Sequence, residues 1–331
     1  MAYADLLGEH ESIRAMRELI ARIASSPART VLLYGETGTG KGLVARMLHR
    51  LSPRAQKPFV DVNCAAIPAS LMESELFGYE RGAFTGAAGA KQGLVEAAEG
   101  GTLFLDEIRE MDLQLQAKLL TLMDTRAFRR LGAVRQTAVD VRFVASTNKV
   151  LLSEVKAGRF RDDLYWRLQV VPVNIPPLRE RGDDVLLLAE AFLKHHGARC
   201  GRVIAGLEPR VAEIFRRYSW PGNVRELENL IERIAILETD PLVRVHHLPD
   251  RILREVEGRA PATEAPGEGT AEAAPPALWD FHAATDRFQT ALIEAALREA
   301  NGRHGRAAAR LGLSRHALRH QMQKLGMIAA S

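Results

Sequence analysis

Two groups of residues in this chain have the types and spacing that phosphate chemistry requires. The first is Gly35-Glu36-Thr37-Gly38-Thr39-Gly40-Lys41, which follows the apolar run Val31–Tyr34 and opens a helical pattern. Glycines at this spacing let backbone N–H groups turn inward around phosphate oxygens. The helix N-terminus adds positive potential, and Lys41 reaches the outer phosphates. The position after the lysine, ordinarily a Ser or Thr hydroxyl on Mg²⁺, is Gly42, so a metal ion must be held by water, by the nucleotide and by other side chains. The second group is Gly100-Gly101-Thr102-Leu103-Phe104-Leu105-Asp106-Glu107. Asp106 is placed to hold Mg²⁺ through water and Glu107 to polarise an attacking water. Alone, an apolar run ending in two acids is often a strand meeting solvent. Downstream of a lysine loop of this form, it completes a site for ATP hydrolysis.

These residues need a scaffold that brings strand ends together. Val31–Tyr34, Phe59–Val62, Thr102–Leu105, Val139–Ala145 and Val171–Ile175 are short apolar, largely β-branched runs. Helical patterns at Ile13–Ile23, Gly40–Arg50, Ala69–Phe77 and Leu113–Asp124 alternate with them. That alternation predicts an α/β domain over residues 1–176, with a mostly parallel sheet covered on both faces. The strand signal fades after Pro176, and Val185–His196, Arg210–Tyr218 and Asn223–Leu237 predict a small helical subdomain over 177–257. Residues 258–277, GRAPATEAPGEGTAEAAPPA, have no Leu, Ile, Val or aromatic residue, and are predicted to be a flexible linker. Residues 278–331 are predicted to form an all-α terminal domain.

The chain has 331 residues, 47% hydrophobic and 26% charged, which excludes wholesale disorder. It has no apolar run long enough to span a bilayer, and the start MAYADLLGEHE lacks the basic and apolar segments of a secretory signal. Cys64 and Cys200 stand far apart, outside any C-x-x-C, so a disulfide framework or zinc finger is not expected. The expectation is a cytoplasmic protein without membrane insertion. Charge is uneven. The last 31 residues hold Arg303, Arg306, Arg310, Arg315, Arg319 and Lys324 and no acid, in a chain whose net charge is +4. A basic tail on an otherwise slightly acidic chain points to a polyanionic partner.

Between the two phosphate motifs lies Gly82-Ala83-Phe84-Thr85-Gly86-Ala87. This hexamer resembles the signature loop of bacterial enhancer-binding proteins, AAA+ ATPases that activate RNA polymerase carrying sigma-54. The resemblance implies that these six residues contact sigma-54, with Phe84 and Thr85 at the tip. It further implies that Asn63 is a switch holding back the catalytic Glu107, and that Thr147 and Asn148 form a first sensor beside the γ-phosphate. Arg161 and Arg167, in Phe160–Arg167, would reach a neighbouring subunit's nucleotide as arginine fingers, which can raise rates by about 10³–10⁵; read alone they are as well surface partners of Asp162 and Asp163. In Trp220-Pro221-Gly222-Asn223-Val224-Arg225-Glu226-Leu227, Asn223 reads as a helix N-cap and Arg225 matches the family's second sensor. Arg109 stands where the family would have a small residue.

The tail pattern has helices predicted at Asp280–Glu299, Arg306–Leu311 and Ser314–Leu325, with Ser314 as a cap. It is a helix-turn-helix that resembles the Fis-type DNA-binding domain of the same family. Arg306, Ser314, Arg315, His316, Arg319, His320 and Lys324 are its candidate contacts to double-stranded DNA, the second helix lying in the major groove with Leu318, Met322 and Leu325 facing inward. His195-His196 and His246-His247 lack metal partners at helical spacing and read as exposed or packing residues. The resemblance implies ATP with Mg²⁺, a hexameric ring with dimeric DNA-binding domains, and remodelling of sigma-54 promoter complexes. Little sequence precedes the phosphate loop, so control by a partner protein acting in trans is expected, as in stand-alone members. A DNA-binding repressor with weak ATPase activity, or an AAA+ remodeller of another target, are the rival readings.

Overall fold

The structure, a computed structural model, describes residues 6–257 and, in the tail, residues 290, 293, 296, 297, 300, 304–310, 318, 322 and 327. The chain divides into two units, Met1–Ala262 and Thr263–Ser331. The first is built on a five-stranded sheet of β1 (Thr30–Tyr34), β2 (Phe59–Asn63), β3 (Thr102–Asp106), β4 (Arg142–Thr147) and β5 (Pro172–Asn174). Its spatial order is β2-β3-β4-β1-β5, and every pairing is parallel. The inner strands are buried along nearly their whole length, as strands covered on both faces must be.

Alternation along each strand divides the core in two. Val31, Leu33, Phe104 and Val144 pack with Ile13, Ile20, Val44 and Leu48 of the helices Glu11–Ser25 and Lys41–Arg50. Leu32, Leu103, Leu105 and Ala145 face the other way, against Leu115, Leu119 and Leu164 of Leu113–Thr125 and Asp162–Leu168. The Leu113–Thr125 helix starts where Asp112 caps it, its carboxylate accepting the Leu115 N–H at 2.8 Å. Two expected bounds shift. The run at Val139 is not part of β4, which begins at Arg142; Thr137–Ala138 instead pairs antiparallel with Ala127–Phe128. The 151–168 region carries two helices that the sequence pattern did not single out, Leu151–Lys156 and Asp162–Leu168.

Register places the chemistry. Asn63 is paired with Asp106, and Tyr34 with Thr147, so the carboxyl ends of β1 to β4 share one edge. Ligands of open parallel sheets bind at that edge. Over it sits the helical subdomain of Asp184–Arg199, Pro209–Arg217, Asn223–Leu237 and Asp250–Glu257, with its own core around Phe192, Phe215, Trp220 and Ile231. An N-terminal strap is tied to this lid: Asp184 accepts the Glu9 and His10 N–H groups, and Arg181 donates to Leu7 O at 2.6 Å.

In the second unit the described residues include the helix His304–Arg310. Ile293, Ala296, Ala300, Ala307, Ala308, Leu318 and Met322 are buried together, so Leu318 and Met322 face inward as their spacing predicts. Ser314, Arg315, His316, Arg319, His320, Leu325, Lys324 and residues 258–277 lie outside the described residues.

Candidate active site

The phosphate loop is shaped by its glycines. Gly38 and Gly40 adopt φ values of +82° and +99°, a left-handed backbone that other residues enter at a cost. Thr39 closes the turn by donating its hydroxyl to Glu36 O at 2.8 Å. Lys41, 7% exposed, donates to Gly35 O at 3.0 Å and lies 3.4 Å from both Glu36 O and Glu107 Oε1. Gly42 has room: a Cβ added there would meet Phe104 Cε1 at 3.8 Å, an ordinary contact.

The acids stand opposite. Asp106 accepts a hydrogen bond from the hydroxyl of Ser146, which is fully buried on β4. The sequence reading missed Ser146, although its place beside Thr147 was available as a signal. Glu107 has φ +53° and its Oε2 accepts the Asn148 N–H at 3.3 Å. Arg109 approaches the same oxygen, Nε at 3.8 Å, and pairs with Glu110 at 2.7 Å. Arg109 Nε and Asn148 Oδ1 are both buried without a hydrogen-bond partner. Asn148 Oδ1 is therefore a buried acceptor without a hydrogen-bond donor, and the Asn148 Nδ2 donates to Thr37 Oγ1 at 3.3 Å.

The remaining candidates divide. Thr147 is fully buried and its hydroxyl is spent on Lys149, donating to O at 3.1 Å and accepting from N at 3.2 Å, so Asn148 faces the site and Thr147 does not. Asn63 is exposed at the end of β2, and its Oδ1 accepts the Ala65 N–H at 2.9 Å, a local turn rather than a bond to Glu107. Asn223 is not the N-cap: Gly222 holds that place, and Asn223 carries its side chain, wholly buried, toward the phosphate loop. Arg225 lines the cavity over the loop, its N–H on Gly38 O at 3.3 Å. Arg161 forms a two-point pair with Asp163 at 3.0 and 2.7 Å, and Arg167 pairs with Asp124 at 3.1 Å. Neither lines the cavity over the phosphate loop.

That cavity, of about 410 Å³, runs from Lys41, Asp106 and Glu107 to an apolar end formed by Leu6, Leu188 and Phe192. The apolar end suits a flat base, and sequence inspection missed it because its residues come from the strap and the lid. The cradle and carboxylates fit ATP and Mg²⁺. Asp106, fixed by Ser146, would be the side chain to hold the ion through water, and a bound ion would supply charge neutralisation at the phosphates.

The hexamer lies outside this site. Helix Ala69–Phe77 ends at Gly78, and Gly78–Tyr79 pairs antiparallel with Lys91–Gln92 to form the base of an inserted loop. Gly82 and Gly86 have φ of +81° and +104° with open space around them, and the Gly82 N–H donates to Ala87 O at 2.9 Å. Ala83 is half-buried and Ala87 buried. Phe84 is 43% exposed with its ring 4.9 Å from that of Tyr79, and Thr85 is exposed.

The histidine pairs prove to have acidic neighbours. His196 is buried 3.6 Å from Glu232. His247 Nδ1 accepts the Arg244 N–H at 3.0 Å, so its Nε2 carries the ring proton toward Asp240 at 3.4 Å and Glu238 at 3.7 Å. Asp240 also approaches His246, a grouping that sequence spacing did not foresee.

Sheet order, phosphate loop, acid pair and helical lid define an AAA+ P-loop ATPase fold. Residues 6–174 match the sigma-54 interaction domain, 179–265 the AAA+ ATPase lid domain, and 286–325 the Fis family of bacterial regulatory proteins. The chain belongs to the family of sigma-54-dependent transcriptional regulators. It is 44% identical over 324 residues to the response regulator protein PilR of Pseudomonas aeruginosa, covering 97% of this chain and 70% of PilR. It is 44% identical over 307 residues to the regulatory protein AtoC of Escherichia coli, covering 93% and 64%. NtrX of Brucella abortus, solved in complex with ADP, superposes with a TM-score of 0.70 at 34% identity over 98% of this chain and 69% of that one. Among the described residues no helix is long and apolar enough to cross a membrane.

Proposed function

We propose that this protein hydrolyses ATP with Mg²⁺ and uses the cycle to drive the Phe84/Thr85 loop tips against sigma-54, remodelling closed promoter complexes of RNA polymerase into open ones. The observation that carries this reading is the exposure of Phe84 and Thr85 at the tip of the hexamer, between Gly82 and Gly86, in the same compact unit as Lys41, Asp106 and Glu107. Asn63, Asn148 and Arg225 sense the nucleotide. Arg161 and Arg167, which do not line the cavity over their own phosphate loop, act on a neighbouring subunit's ATP in a ring, taken to be a hexamer. The basic tail, through Arg306, Arg315, His316, Arg319 and Lys324, holds the ring near a promoter. Arg306 is exposed on its helix.

Open-complex formation at a sigma-54 promoter, with purified protein and either ATP or a non-hydrolysable analogue, tests the proposal. The expected result is opening that needs hydrolysis and is lost in Thr85→Ala while ATPase activity persists. ATPase activity and DNA binding without opening would move the protein to another remodelling target, and DNA binding without turnover would make it a repressor.

A further inference from the structure

We propose that Asn223, Glu36 and Arg179 form a clasp through which the helical lid reads the conformation of the phosphate loop, Glu36 serving the lid rather than the nucleotide. The inference rests on the reading of that loop as the ATP site. Asn223 is 0% exposed and sits at φ +51°, a left-handed conformation that a non-glycine residue enters at a cost. The conformation lets every polar atom of the side chain find a partner. Its Oδ1 accepts the Leu178 N–H at 2.8 Å, and its Nδ2 donates to Thr37 O at 3.0 Å and Glu36 Oε2 at 3.2 Å. Arg179 then grips both Glu36 oxygens, at 2.7 and 2.8 Å. One residue thus joins three parts: the phosphate loop, the 3-10 turn Leu178–Glu180 that follows the sheet, and the start of the lid helix.

The backbones meet there too. A Cβ on Gly38 would stand 2.1 Å from Gly222 O, so loop and lid touch with no side chain between them. Lys41 lies within reach of Glu36 O at 3.4 Å. A phosphate that draws Lys41 away releases this carbonyl, and the adjustment of Glu36 passes through its carboxylate to Asn223 and Arg179. The Arg179 guanidinium holds the Glu36 carboxyl below the usual carboxylate range, so the clasp stays ionic at neutral pH. Trp220, two residues before Gly222, is 1% exposed and donates to Phe215 O at 2.8 Å, which makes its indole a reporter of the lid.

The full chain carrying Trp166→Phe and Trp279→Phe leaves Trp220 as the sole tryptophan. ADP is expected to shift Trp220 emission in this parent. Glu36→Gln and Asn223→Ala, each measured at saturating ADP, are expected to lose the shift. Each is expected to weaken ADP binding about 10-fold, and the double variant no further, because residues acting as one unit are not additive. Glu36 is at the surface, so Glu36→Gln tests the clasp even if Asn223→Ala does not fold. A shift that persists in both variants, or additive losses of affinity, would overturn the clasp. A parent that binds ADP without any Trp220 shift overturns the clasp alone; a parent that binds no ADP overturns the ATP-site reading beneath it.

Discussion

Lys41 Nζ stands 3.4 Å from Glu107 Oε1, so the ammonium proposed to bind phosphate and the carboxylate proposed to polarise water are partners of one another. On the proposed reading, a phosphate competing for Lys41 would separate the pair and free Glu107 Oε1, with Oε2 left beside the Asn148 N–H and the Arg109 guanidinium. The proposed base would thereby be made available by the substrate it acts on.

Removing either member of the pair has different consequences. Lys41→Ala is expected to abolish ATP binding, since among the described residues Lys41 carries the only ammonium that lines the cavity. Glu107→Gln is expected to keep binding and to lower turnover by about 10²–10⁴, the usual contribution of a positioned base. Fluorescent-nucleotide titration alongside steady-state ATPase assays separates the two, and loss of binding in Glu107→Gln would remove the role assigned to it.

Arg109 approaches Glu107 Oε2 at 3.8 Å with its Nε buried and unpartnered, which gives a physical place to a residue that the sequence left unexplained. Arg109→Gly is expected to lower kcat several-fold with little change in KM for ATP, and Arg109→Lys to recover part of the loss. A contact of this exposure is worth about 1 kcal/mol or less, so a loss much beyond 10-fold would mean that Arg109 does more than position the carboxylate.

Ser146 fixes Asp106 from within the sheet. Ser146→Ala leaves that oxygen of Asp106 without its buried donor, at about 1–3 kcal/mol. The expected outcome is a rise of about 10-fold in the Mg²⁺ concentration needed for half-maximal ATPase activity, with a modest fall in Tm. Titration of activity against Mg²⁺ at fixed ATP measures it, and an unchanged midpoint would take Ser146 out of the site.

The motifs legible in the sequence are those whose chemistry is local. The phosphate loop, the acids ending β3 and the GAFTGA tip are contiguous residues, and the inner strands β1, β3 and β4 show through because buried parallel strands are nearly continuous apolar runs. What was not legible depends on partners far apart in the chain. Asn223 reads as a cap until its side chain is seen on Glu36, 187 residues away, and Ser146 reads as one more strand residue until β4 lies beside β3. Thr147 and Asn148 look equivalent in sequence, but strand alternation and the Lys149 turn send one inward and leave the other at the site.

Burial pushes His49 and His196 below the ordinary imidazole range. In the unfolded chain both take up protons near about pH 6.5, whereas in the folded one they resist until lower pH. The unfolded state therefore binds more protons in this window, and stability present above about pH 6.5 is lost as the pH falls toward the folded values. Tm is expected to drop between about pH 7.5 and about pH 5.5. A protein with both His49→Gln and His196→Gln is expected to show a smaller drop, and an equal drop would place the acid sensitivity elsewhere.

Gly42 occupies a helical position that any residue can adopt, and a Cβ there meets nothing closer than Phe104 Cε1 at 3.8 Å. The glycine is thus not required by space or by backbone angle, and it lowers helix propensity by about 1 kcal/mol relative to Ala in the first turn after the phosphate loop. Gly42→Ala is expected to raise Tm through restriction of the unfolded chain, with turnover little changed. Gly42→Thr adds the hydroxyl that phosphate loops of this form place on Mg²⁺. It is expected to lower the Mg²⁺ concentration for half-maximal ATPase activity below that of the Ala variant, which controls for the helix effect. If Gly42→Thr and Gly42→Ala show the same Mg²⁺ midpoint, the ion in this protein is held without a contribution from that position, and Asp106 with its Ser146 support carries the protein's share.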